Sequence, residues 1–234
     1  MTKGDISQKP IKNFQFTILL WIVPVILFLF LGSDQGSRLD RLGEVEVNKE
    51  GKASYSNGLL ENAKAGIVSA QVKLAGCYAE GRGVRVNRRE AAKWYRAAAE
   101  RGNVTAQCYL GRCYEKGWGV KKSELEAVEW YRKAAVQGDA YGQFLLGVAY
   151  ECGVGVKRDY EQAVEQYRKS AEQESVYGQC FLGSCYEEGL GLEKNEKMAK
   201  MWYAEAEEND PKKTAEILKS LRGSQSVKAN RFDT

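Results

Sequence analysis

Three kinds of residue in this chain have types and spacings that invite chemistry: Gly-x-Gly turns, cysteines and glutamates. The turns begin at Gly81, Gly117, Gly153 and Gly189. Such a turn cradles phosphate when it follows a strand and extends to Gly-x-Gly-x-x-Gly, or when it ends in Gly-Lys-Ser/Thr. None of the four does either, so each reads as a helix stop. The six cysteines are Cys77, Cys108, Cys113, Cys152, Cys180 and Cys185, and in an exported domain they would suggest disulfides. Cys108 and Cys113 lie five residues apart on one predicted helix and so face different ways, as do Cys180 and Cys185. Cys77 and Cys113 occupy equivalent positions in neighbouring units, on helices expected about 8 to 10 Å apart or more, beyond the roughly 7 Å reach of a disulfide. The cysteines therefore read as small packing residues, which weighs against an oxidising compartment.

Paired carboxylates can hydrolyse a glycosidic bond, but these glutamates are mixed with Lys and Arg along helix faces, the pattern of solvated charge. The chain has no histidine. That removes the usual general base, the commonest metal ligand and the base of any Ser-His or Cys-His pair. Without histidine or a Cys-x-x-Cys pair a zinc site is not expected, no cofactor is expected, and catalysis would need another route. The formal net charge is +4, with 35 basic and 31 acidic residues. Residues 1–32 hold Lys3, Lys9 and Lys12 against Asp5, which leaves 32 basic and 30 acidic residues in the remainder. Such a balance gives no broad basic face, so nucleic acid is not an expected partner.

The elements that carry these residues repeat. From residue 70 onward the chain recurs every 36 residues without insertion, in four copies, and a period of this size marks a solenoid of helical hairpins. Leu74, Leu110, Leu146 and Leu182 correspond, as do Tyr78, Tyr114, Tyr150 and Tyr186. A small residue, Leu and Tyr at i, i+4 and i+8 form one stripe of a first helix, as in Ala106, Leu110 and Tyr114. Gly111, Gly147 and Gly183, which Ala75 replaces in the first copy, cost helix propensity and imply close helix packing. The first glycine of each Gly-x-Gly suits the left-handed position that ends a helix, and the following Val84, Val120, Val156 or Leu192 can tuck back onto the hairpin. Asn87 with Glu90, Ser123 with Glu126 and Asp159 with Gln162 fit the spacing of a capping box, while Asn195 keeps only the cap because Met198 follows. Inside the second helix Ala91, Ala127, Ala163 and Ala199 precede Tyr95, Tyr131, Tyr167 and Tyr203 by four residues, with Trp94, Trp130 and Trp202 beside them. These aromatics read as core between helices, because each repeat must bury its face on its neighbour.

Leu-Gly-x-x-Tyr, Gly-x-Gly-Val and Ala-x-x-Trp-Tyr-x-x-Ala-Ala, as in "LGRCYEKGWGVKKSELEAVEWYRKAAVQG", resemble the Sel-like repeat, a relative of the tetratricopeptide repeat, over about residues 62 to 210. The resemblance implies an all-α fold, a right-handed superhelix of antiparallel helix pairs serving as an adaptor or scaffold, with no catalytic residue. Some cysteine-rich members of that family pair a Cys ending the second helix with one in the next first helix. Cys108 and Cys180 match the latter position, but Glu100 and Glu172 stand where the partners would be.

The ends read as terminal caps. "GLLENAKAG", Gly58 to Gly66, looks like the tail of a second-type helix, and after Pro211 a closing helix places Ala215, Leu218 and Leu221 on one stripe. The expected organisation is a short cytoplasmic tail at 1–13, a transmembrane signal anchor at 14–32, a polar tether at 33–57, the solenoid of four hairpins with its caps at 58–222, and a loose tail at 223–234. The anchor reading rests on residues 16–31, "FTILLWIVPVILFLFL", in which Thr17 is the only polar member. That length lies between a signal's apolar region and a full span, and no good cleavage site follows. An uncleaved anchor is expected, with a cleaved signal and a secreted protein as the alternative. The basic amino tail favours a periplasmic or lumenal location for the repeats, although Arg38, Arg41 and Lys49 leave a cytoplasmic orientation open.

Partner recognition is expected where the copies differ. Helical geometry turns the positions of 73, 76 and 80 towards the inner, concave face. There lie Lys73; Tyr109, Arg112 and Lys116; Leu145 and Val148; and Phe181, Ser184 and Glu188. Tyr109, Leu145 and Phe181 would form an apolar ladder edged by charge, suited to a protein or peptide ligand. The competing reading is that these side chains only pack between hairpins. The function expected is a membrane-tethered scaffold without chemistry of its own, and the alternative is an envelope enzyme or glycan-binding protein that uses Glu and Tyr.

Overall fold

The computed structural model describes residues 54–229, with side chains to Arg222. Among them are ten helices and no strand. Four antiparallel hairpins follow one another: α2 (Val68–Glu80) with α3 (Arg88–Ala99), α4 (Val104–Lys116) with α5 (Glu124–Val136), α6 (Ala140–Cys152) with α7 (Tyr160–Ala171), and α8 (Val176–Glu188) with α9 (Glu196–Asn209). Before them α1 (Asn57–Lys64) packs on α2, and after them α10 (Pro211–Ala229) packs on α8 and α9. Each helix also packs on its sequence neighbour in the next hairpin, and α4, α6 and α8 touch one another in turn. Helices that approach so closely across a whole repeat line the inner wall of the stack, and the second helices stand outside.

The boundaries follow from local chemistry. The Asn87, Ser123, Asp159 and Asn195 side chains accept from the backbone amides of Glu90, Glu126, Gln162 and Met198 at 3.1, 3.3, 3.0 and 3.0 Å, the N-cap geometry the spacing predicts. Gly81, Gly117, Gly153 and Gly189 end the first helices in the left-handed conformation. The second glycine of each turn does different work. Gly119, Gly155 and Gly191 also have positive φ, and each lies against the backbone at the start of the preceding hairpin's second helix, at Arg88, Glu124 and Tyr160. The turn thus stops one helix and docks it on the previous repeat.

Packing explains the glycine that follows the leucine. A Cβ on Gly147 or Gly183 would come within 2.6 Å of the Tyr167 or Tyr203 ring. Tyr131, Tyr167 and Tyr203 then donate to Glu115, Glu151 and Glu187 at 2.8, 2.6 and 2.8 Å, so each hairpin is closed by a ring and a charged hydrogen bond. Between hairpins, Arg96 and Arg168 reach the hydroxyls of Tyr114 and Tyr186 at 2.5 and 3.3 Å. Buried glutamines add a second bridge: Gln107 donates to the Ala99 carbonyl at 3.2 Å and accepts from Gln137 at 2.8 Å.

The caps differ from expectation in detail. Folded structure reaches back into the expected tether, where the Tyr55 amide donates to the Arg82 carbonyl at 3.0 Å and Ser56 caps α1. At the other end α10 continues through Ala229, past the expected start of a loose tail. Its buried residues are Thr214 and Ile217, with Leu218 and Leu221 packed beside them, whereas Ala215 is exposed. No helix among the described residues is long and apolar enough to cross a membrane. The apolar run at 16–31, and with it the expected anchor, lies outside the described residues.

Candidate functional site

The inner wall is built from the first helices. The positions of Lys73, Gly76 and Glu80 present one face, and the wall extends one turn further than the sequence pattern suggests, to Thr105, Tyr141 and Tyr177. Tyr109 is 40% exposed and lies stacked on Tyr95, with centroids 5.1 Å apart. Tyr177 lies 5.6 Å from Tyr141 and 4.9 Å from Phe144, which in turn lies 4.9 Å from Phe181. Tyr141 and Tyr177 escape a reading restricted to three positions per helix. Their signal is the i−4 relation to Leu145 and Phe181.

The expected binding residues meet different fates. Lys73 is exposed. Arg112 is half-buried, lies 5.7 Å from the centroid of Trp118 and reaches the Tyr141 hydroxyl at 3.4 Å. Lys116 is exposed and pairs with Glu115 at 2.5 Å. Leu145, Val148 and Phe181 are half-buried, and Phe181 also packs on Tyr167 at 5.3 Å, so they both line the wall and hold the hairpins together. Glu188 is exposed. Ser184 is buried at 9% exposure beside Tyr203, which removes it from the accessible wall.

A cavity of about 300 Å³ opens between the first two hairpins. Ala79, Ala91 and Cys113 line it together with the aromatic rings of Tyr95, Tyr109 and Trp118. Arg88 and Arg112 lie 5.3 and 5.7 Å from the Trp118 centroid, within cation–π range. Glu80 also lines the cavity and is paired with Arg82 at 3.2 Å.

All six cysteines are thiols, five of them buried and Cys152 exposed. Burial pushes Cys113 and Cys180 up to about 11 and Cys185 up to about 12. Burial, then the Asp139 carboxylate, raises Cys108, whose Sγ lies 3.3 Å from Asp139. Since the thiolate is the reactive form, a maleimide at neutral pH should label one thiol of the native chain, Cys152, and six after unfolding. Rapid labelling of a second thiol, read by mass spectrometry, would contradict this packing. No group of three or more potential metal ligands forms among the described residues.

The Sel1 repeat model matches residues 68–103, 104–139, 140–175 and 176–211, in register with the four hairpins. No curated protein matches the chain significantly. Among solved structures, a Sel1 repeat protein from Oxalobacter formigenes is 35% identical with a TM-score of 0.65, covering 69% of this chain and 64% of its own. A protective antigen of uropathogenic Escherichia coli strains, which displays an SLR fold, is also 35% identical with a TM-score of 0.61, covering 64% of this chain and 32% of its own. The chain thus spans less than two thirds of the length of either structure. With four tandem matches over more than half of its residues, the chain belongs to the Sel1 repeat family, whose members generally mediate protein–protein interactions.

Proposed function

We propose that this protein is a membrane-tethered scaffold that holds a protein or peptide partner along the inner wall of its repeats. The observation that carries the reading is the wall itself. Its residues change from copy to copy while the packing stripe recurs, and the changes assemble the partly exposed aromatic row from Tyr109 through Tyr141 and Tyr177 to Phe181. Aromatic and arginine side chains backed by a rigid stack are the composition of a recognition surface. Three glutamates, Glu115, Glu151 and Glu187, are engaged in structure by tyrosine hydroxyls. Tethering is supported by the apolar run at 16–31 and the basic residues before it, which favour repeats on the periplasmic or lumenal side.

A photocrosslinking amino acid at Leu145, on the wall, should give a discrete adduct that the same group at Leu125, 71% exposed on an outer helix, does not. Equal adducts from both positions would sink the inner-wall reading. Reporter fusions after residue 50 would place the repeats on one side of the membrane.

A further inference from the structure

We infer that the cavity between the first two hairpins receives the glutamate side chain of an extended peptide, in the place the repeat's own glutamate fills elsewhere. This rests on the reading of the inner wall as a peptide-binding surface and names the chemistry recognised at one end of it. In the second, third and fourth units a tyrosine hydroxyl donates to the glutamate sixteen residues before it. In the first unit that glutamate is Ala79, and the glycine against which the ring would pack is Ala75. A methyl there denies the ring its usual seat, as the 2.6 Å approach to Gly147 and Gly183 shows. Tyr95 instead stacks on Tyr109 with the rings 15° from parallel.

Two consequences meet in the cavity. Tyr95 is only 5% exposed and lines the cavity, and where its counterparts have a glutamate sixteen residues earlier it has Ala79, which lines the same cavity. Arg88, Arg112 and Glu80 also line it, the two guanidiniums against Trp118 and the carboxylate paired with Arg82 at 3.2 Å. A tyrosine that lacks its usual glutamate, two guanidiniums and a cavity beside Ala79 call for a carboxylate. The three sister units specify its length, that of glutamate. The mouth at Tyr109 and Arg112 continues along the wall towards Tyr141, 3.4 Å from Arg112, so the bearer of that carboxylate is an extended chain.

The test uses the full-length chain in detergent and fluorescent octapeptides, acetylated and amidated, with one glutamate beside a phenylalanine. Controls replace the glutamate by glutamine, by phosphoserine, or by glutamine with a free terminal carboxylate. Glutamate peptides should bind at least tenfold more tightly than each control. Ala79→Glu should erase that preference by supplying the carboxylate internally, with the helical circular dichroism retained. Tyr95→Phe should weaken the glutamate peptide several-fold and the glutamine peptide less, because a hydrogen bond to a carboxylate is the stronger one, which keeps the test available if Ala79→Glu misfolds. Equal binding of glutamate and glutamine peptides would overturn the proposal, as would preference for the phosphate or the chain end. So would a glutamate preference that survives Ala79→Glu. Partner crosslinking through position 145 that is untouched by Ala79→Glu would sink this proposal alone and leave the scaffold standing.

Discussion

Replacing Gly155 by alanine should destabilise the repeat stack by about 2–5 kcal/mol, although the change adds one methyl group to a turn. Two costs combine. Gly155 has φ +69°, where an L-residue costs about 1–2 kcal/mol. Its Cβ would also collide with the Glu124 peptide, with the carbonyl carbon at 2.6 Å, and approach Val128 Cγ2 to 3.0 Å. The contact is backbone on backbone, so no rotamer relieves it and the hairpin of α6 and α7 must move away from α5. In a linear array, that loss falls on the interface between the second and third units, and the stability of such arrays is a sum of unit and interface terms. A urea melt followed by circular dichroism should shift to lower midpoint and separate into two transitions. Gly138→Ala is the control: φ there is +84°, but nothing lies within 4 Å of the added carbon. It should show the backbone cost alone and keep one transition. Equal losses for the two variants would show that the second glycine only turns the chain and does not dock the repeats.

The docking role of Gly155 was hidden in the sequence, whereas its turn was not. Both glycines of the Gly-x-Gly recur with the same period, but sequence marks a helix stop through residue type and position alone, and contact with Glu124 belongs to the preceding repeat. The same division runs through the rest of the molecule. The caps at Asn87, Ser123, Asp159 and Asn195 were legible because the donor, acceptor and spacing lie within four residues. The buried Gln107 was not, although its position recurs at Gln71, Gln143 and Gln179, because polar residues on a helix read as solvent-facing until their partners are seen. At the candidate site, Tyr109 and Arg112 are partly accessible and line the cavity between the first two hairpins. Ser184 is buried beside Tyr203, a contact made with the second helix of its hairpin that spacing within the first helix does not reveal. The cavity was legible only as a departure, Ala79 among three glutamates, whose meaning required knowing that those glutamates receive the tyrosine hydroxyls.

Those tyrosines support the second large effect, at Tyr167. The side chain is fully buried, at 0% exposure, with its ring against Gly147 and Phe181 and its hydroxyl 2.6 Å from Glu151. Tyr167→Ala should cost about 3–5 kcal/mol through the lost apolar contacts and the cavity left behind. A domain of this kind is stable by only about 5–15 kcal/mol, so the variant should sit near its unfolding midpoint at physiological temperature. Tyr167→Phe separates the ring from the hydroxyl. It keeps the packing and removes one hydrogen bond to a carboxylate, with an expected loss of about 1.5–3 kcal/mol. Burial, reinforced by the Glu151 charge, holds the phenol well above its ordinary pKa, so it remains a donor across the whole working range and the loss should not vary between pH 6 and 9. Glu151→Gln in the Tyr167→Phe background should then cost little more, because the partner has already gone and the two changes act on one interaction. Additive losses in that double-mutant cycle, measured by denaturant melts, would mean that the ring alone closes the hairpin and that the recurring glutamate has another use. Non-additive losses would establish the Tyr–Glu pair as the repeat's internal lock, the contact for which the first unit has Ala79 in place of glutamate.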